Sequence, residues 1–133
     1  MQQKFDEEGN SIKLINSSVS GDTTGGGLGR LAKNLKKFKP DFVLIELGGN
    51  DALRGYSIKL IKSNLEKMIA LIKQNKSKVL LMQIRIPPNY GQKYMLAFEK
   101  IYKDLALSEE VYLMPFMLEE IGINSELMQP CLL

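Results

Sequence analysis

The chain has 133 residues, 44% of them hydrophobic and 25% charged, the balance of an ordinary globular domain, so a single domain over 1–133 is expected. Its formal charge of +3 is too small to argue for a nucleic-acid partner. Histidine is absent and cysteine occurs once, so this sequence alone builds no Ser-His-Asp or Cys-His site, no internal disulfide and no multi-cysteine zinc site.

The first ten residues, MQQKFDEEGN, have no apolar core and no cleavage pattern. As written, the sequence therefore reads as cytoplasmic. Residues 11–16, SIKLIN, alternate in part and fit a short strand. Residues 17–29, SSVSGDTTGGGLG, read as a small-residue loop. Leu28, Leu31, Leu35 and Phe38 then recur at helical spacing, with Lys33, Lys36 and Lys37 on the other face and Pro40 as a stop. A continuous apolar run, Phe42–Ile45, follows, then Glu46 and Leu47, as expected of a strand buried on both faces. It breaks at Gly48-Gly49-Asn50-Asp51.

Ser57 is a candidate N-cap for the next helix, whose stripe is Ile58, Ile61, Leu65, Met68 and Ile72. Residues 79–84, VLLMQI, form a second buried run. Its exit, RIPPNYG at 85–91, has two adjacent prolines that forbid both helix and ladder there. Tyr94, Phe98, Ile101, Tyr102 and Leu105 mark a third helix, and 111–114 a last short strand. Residues 1–78 hold 14 Lys/Arg against 8 Asp/Glu, whereas 79–133 hold 4 against 7. The basic excess falls on the helical segments at 33–39 and 59–78 and reads as solvated helix faces.

The order β-α-β-α-β-α-β with short connections predicts a parallel sheet with right-handed crossovers. All strand exits then share one edge, which is where ligands bind in open α/β sheets. The exits at 17–29, 48–55 and 85–91 carry most of the Gly, Asn and Pro, and the opposite-edge loops are shorter and plainer.

Few chemistries fit the residues along that edge. Gly27-x-Gly29-x-x-Ala32 formally matches a dinucleotide fingerprint, but some ten residues separate it from the strand it should follow at once. Ser18 and Ser20 lie in no Gly-x-Ser-x-Gly elbow and have no histidine to activate them. Glu109-Glu110 and Glu119-Glu120 read as solvated, and no metal-ligand spacing appears. What remains is a pair of hydrogen-bond donors. Gly21, through its backbone N–H, and Asn50, through its side-chain amide, would face each other across the rim as groups that hold a developing oxyanion.

Ser-Val-Ser-Gly-Asp-Thr-Thr at 18–24 and Glu-Leu-Gly-Gly-Asn-Asp at 46–51 closely resemble two blocks of the SGNH (GDSL-type) hydrolases, nearest the bacterial acyl-thioesterase, arylesterase and lysophospholipase branch. Arg54-Gly55, the segment 81–91 (LMQIRIPPNYG) and Leu113-Met114-Pro115-Phe116 extend the resemblance from about Ile12 to Pro130. It implies a three-layer α/β/α sandwich with a flavodoxin-like parallel sheet. It implies Gly21 and Asn50 as the oxyanion hole, and Gly49, Ile86, Pro87, Asn89 and Tyr90 as residues bordering the acyl substrate. A serine of such enzymes attacks an ester, thioester or lysolipid carbonyl without metal or organic cofactor.

The family's Gly-Asp-Ser and Asp-x-x-His blocks have no counterpart in this sequence, so no nucleophile or base is assigned. The same resemblance would put the family's first strand and last helix outside the chain. The expectation is therefore a fragment, inactive and marginally stable alone, or one that pairs with a complementing fragment. An intact relative would be periplasmic or secreted in some cases. The alternative is a non-catalytic module that binds an acyl or small polar ligand; less favoured is a dinucleotide-binding domain.

Overall fold

The structure is a computed structural model and describes residues 15–115. In chain order the elements are α1 (Thr24–Phe38), β1 (Phe42–Ile45), α2 (Gly49–Leu53), α3 (Ile58–Gln74), β2 (Lys78–Met82), a 3-10 turn (Pro88–Tyr90), α4 (Gln92–Ser108) and β3 (Tyr112–Met114). The strands form a parallel sheet in the order β1-β2-β3, with Val43 opposite Val79, Ile45 opposite Leu81, and Leu81 opposite Leu113. The expected parallel α/β arrangement is therefore present. The strand expected at 11–16 lies outside the described residues except for Ile15 and Asn16.

Side chains alternate between the faces of a strand. Val43, Ile45, Leu47, Val79 and Leu81 thus share one face, and they form a single core with the apolar stripes of α1, α3 and α4. The stripe of α3 supplies Ile61, Leu65, Met68, Ile69 and Ile72, all fully buried, each contributing about 2 kcal/mol of transfer free energy. Among the described residues these helices make one helical layer. A second helical layer is not present among the described residues.

Four local features differ from expectation. Helix α1 begins at Thr24, not near Leu28, so Gly25, Gly26 and Gly27 lie in its first turn. Thr23 caps it by accepting from the Gly26 N–H. Gly27 is needed there because a Cβ would overlap Leu47 Cδ1 and sit 3.5 Å from Met68 Cε. Gly27, Gly29 and Ala32 are thus helical, and the dinucleotide fingerprint forms no phosphate loop.

Strand β1 ends at Ile45, and two residues on the Leu47 carbonyl accepts a 2.6 Å hydrogen bond from the Tyr102 hydroxyl. Gly48 then turns the chain at φ +119° into α2, a helix too short to show a period. Pro88 is accommodated as the first residue of the 3-10 turn, where its missing N–H costs nothing. As expected, Ser57 caps α3, accepting from the Leu60 N–H at 3.1 Å.

Candidate functional site

The exits after 17–22 and after β1 are joined by hydrogen bonds. Asn50, in the first turn of α2, donates from Nδ2 to the Asp22 carbonyl at 3.0 Å. Its neighbour Asp51 accepts from the Thr24 N–H at 2.9 Å and from the Thr24 hydroxyl at 2.5 Å. Asn64 of α3 donates to the same Thr24 oxygen at 3.0 Å. Arg54, just after α2, donates to the Gly21 carbonyl at 3.4 Å, and Arg30 forms an ion pair with Asp22. The structure therefore brings the Gly21 loop and Asn50 together.

Gly21 is exposed at φ +76°, with open space where a Cβ would be. Its N–H has no acceptor among the described residues. A primary amide carries two N–H donors, and the Asp22 carbonyl takes one of the Asn50 pair, which leaves the other for a ligand oxygen. Gly49 is half-buried, and a Cβ on it would lie 3.4 Å from Ile84 Cγ2, so the second and third exits are also neighbours. Tyr94 at the start of α4 donates to the Tyr56 carbonyl at 2.6 Å.

Pro87, Asn89 and Tyr90 are exposed on the third exit. Ile86 is not: it is 6% exposed and packs into the core, so its side chain anchors the loop rather than opening on the rim. Asp51 is visible in the sequence as a polar group at the strand end, but its partners Thr24 and Asn64 are not. The available signal was an Asp directly after Asn50 at a strand exit, facing a Thr-Thr pair before a helix.

Three ionisable groups are shifted. Burial pushes the Tyr102 hydroxyl well above the usual value of 10.0, and the Asp51 charge adds to this. Tyr94 is raised for the same two reasons in the same order. Burial raises the Glu46 carboxyl above 4.5; the residue as a whole is exposed, so this effect is softened by solvent.

No group of residues that could hold a metal ion occurs among the described residues, and no described helix is long and apolar enough to cross a membrane. A groove of about 550 Å³ lined by Leu35, Lys36, Lys39, Pro40, Leu71 and Lys76 opens on the opposite edge of the sheet, away from these donors.

The GDSL-like Lipase/Acylhydrolase family matches residues 1–130. An arylesterase of Vibrio mimicus is 53% identical over 122 residues, covering 92% of this chain and 61% of that protein. The thioesterase 1/protease 1/lysophospholipase L1 of Escherichia coli strain K12 is 44% identical over 116 residues, 87% of this chain and 56% of that protein. The crystal structure of the psychrotrophic esterase EstA from Pseudoalteromonas sp. superposes with a TM-score of 0.87 at 41% identity, covering 96% of this chain and 70% of that one. The chain thus spans somewhat over half the length of these curated relatives.

Proposed function

Since the chain belongs to the GDSL-like lipase/acylhydrolase family, we propose that it supplies the oxyanion-holding half of a hydrolase of carboxylic esters or thioesters. The observation that carries this reading is the hydrogen-bonded junction of Asn50 with the Gly21–Asp22 turn. When a nucleophile adds to an ester carbonyl, negative charge moves to the carbonyl oxygen. The Gly21 N–H and the second Asn50 N–H are the donors that receive it, preorganised so that little rearrangement is needed as the charge develops. Gly49, Pro87, Asn89 and Tyr90 border the acyl or leaving group, with Ile86 holding their loop from beneath. Aryl esters, acyl thioesters and lysophospholipids are the substrate classes suggested by the names of the relatives.

Turnover by a serine acyl-enzyme needs a base to take the serine proton, and this sequence contains no histidine. These 133 residues by themselves are therefore inactive, and the nucleophile and base come from Gly-Asp-Ser and Asp-x-x-His blocks outside them, on the same polypeptide or on a complementing one. No cofactor enters the reaction. The working unit is one domain.

The test is p-nitrophenyl butyrate hydrolysis by the chain alone and after mixing with such a polypeptide. Expected are buffer-level rates alone and turnover after mixing. That turnover should fall about a hundred- to a thousand-fold in kcat when Asn50→Ala removes one donor. Hydrolysis by the chain alone that disappears in Asn50→Ala would overturn the claim of inactivity. Unchanged kcat in the mixed Asn50→Ala enzyme would overturn the oxyanion role.

The missing histidine favours one second reading, a non-catalytic module that keeps the rim for an acyl ligand. Saturable binding of a fatty acid together with failure of every complementation would favour it.

A further inference from the structure

We infer that Asp51 is a positioning residue that sets the direction of the Asn50 side chain through a latch to the first residue of α1. The inference rests on the oxyanion role proposed for Asn50 and deepens it. Asp51 is 0% exposed, and a carboxylate is costly to bury unless its oxygens are hydrogen-bonded. Both oxygens are engaged by a single residue, Thr24, through its N–H and its hydroxyl. Thr24 opens a helix of 15 residues whose own first turn contains no acidic residue. Asp51 thus provides, from 27 positions away, the negative group that a helix N-terminus favours.

The hydroxyl direction is fixed as well. Asn64 donates to the Thr24 oxygen, so that oxygen is used as an acceptor and its own proton is left for Asp51.

The geometry of attachment gives the latch its consequence. Asn50 grips the Asp22 carbonyl while Asp51 grips Thr24, so two successive residues of α2 hold two nearby points of the opposite loop. Ala52 of α2 is buried in the core and Arg54 after it reaches the Gly21 carbonyl, but neither contact acts on the start of the helix, where Asn50 stands. Two attachments fix its rotation, and with it the line along which the second Asn50 N–H points. Networks of this kind inside a protein hold one arrangement when every member is satisfied.

The test uses the full chain, isotope-labelled for NMR. Readouts are the Asn50 side-chain amide resonance and hydrogen exchange at Ala52 and Arg54, whose amides bond to the Gly48 and Asn50 carbonyls within α2. Leu44 and Leu81 report the sheet. Asp51→Asn and Thr24→Val should each move the Asn50 resonance and speed exchange at Ala52 and Arg54 at least tenfold relative to Leu44 and Leu81. Thr24→Ser, which keeps the hydroxyl, should restore both. The Thr24 pair decides the matter if Asp51→Asn does not fold.

An unmoved Asn50 resonance overturns the proposal, as does equal acceleration at all four amides, which would mark a merely structural loss. The hydrolase reading is judged separately, by Asn50→Ala in the mixed enzyme, so either can fail while the other stands.

Discussion

Gly48→Ala is the sharpest perturbation of the turn that delivers Asn50. A Cβ at this position would overlap the Tyr102 hydroxyl and lie 3.3 Å from Tyr102 Cζ and 3.6 Å from Phe98 Cε2. The aromatic ring cannot easily retreat. Tyr102 and Phe98 are both 0% exposed and pack edge to face, with centroids 5.4 Å apart and planes at 69°.

Moving the hydroxyl breaks its bond to the Leu47 carbonyl and leaves buried polar groups unmatched, about 1–3 kcal/mol. Forcing a side chain onto φ +119° costs about 1–3 kcal/mol more. The expected loss is about 3 kcal/mol or more, read from the urea midpoint followed by far-ultraviolet circular dichroism.

The control is the double variant with Tyr102→Phe, which removes the overlapping oxygen and leaves the 3.3 Å and 3.6 Å ring contacts. The two changes should couple by at least 1 kcal/mol, the pair being less damaged than the sum of the single variants. A Gly48→Ala loss below 1 kcal/mol, or strict additivity, would refute the account of this turn.

Two further outcomes follow from single residues. Tyr102 is held protonated in the fold well above 10.0, so the unfolded chain ionises first. The stabilisation is complete below pH 10 and is lost as pH rises from there toward the folded value. Alkaline denaturation curves should show this slope, and Tyr102→Phe should flatten it. Ser57→Ala removes the oxygen that caps α3 and should cost about 1 kcal/mol, seen as a lower urea midpoint with an unchanged m-value.

What the sequence disclosed was what repeats. The stripes 61-65-68-72 and 98-101-102-105 run at helical spacing, so two helices and their buried faces are readable from the sequence. The apolar runs at 42–47 and 79–84 likewise marked β1 and β2. What it hid was set by partners distant in the chain. Three glycines favour a loop by intrinsic preference, yet they are helical because Thr23 and Asp51 together satisfy the first amides of α1. The five residues of α2 are too few for a period. Ile86 stands between Arg85 and Pro87 in an exit loop and gives no pattern that would say it turns back into the core. Gly21 and Asn50 were legible as donors, but the residues that hold them in place were not.

Electrostatics at the rim bring these pieces together. Asp51 puts a negative charge one residue from Asn50, and that charge is felt at both Tyr94 and Tyr102. A bare carboxylate so placed would oppose an oxyanion forming at Asn50, because like charges in a poorly solvated setting repel strongly. The fold offsets it from the other side. The Thr24 N–H and hydroxyl take both Asp51 oxygens, and the positive end of α1 lies behind them. Arg54 reaches the Gly21 carbonyl and Arg30 neutralises Asp22. The carboxylate thus serves geometry while α1 offsets part of its charge, so an oxyanion held as proposed by Gly21 and Asn50 would form in a setting that tolerates new negative charge. Replacing Thr24 by valine would therefore do more than loosen α2. It would also expose the rim to a less screened Asp51, and the two effects act in the same direction.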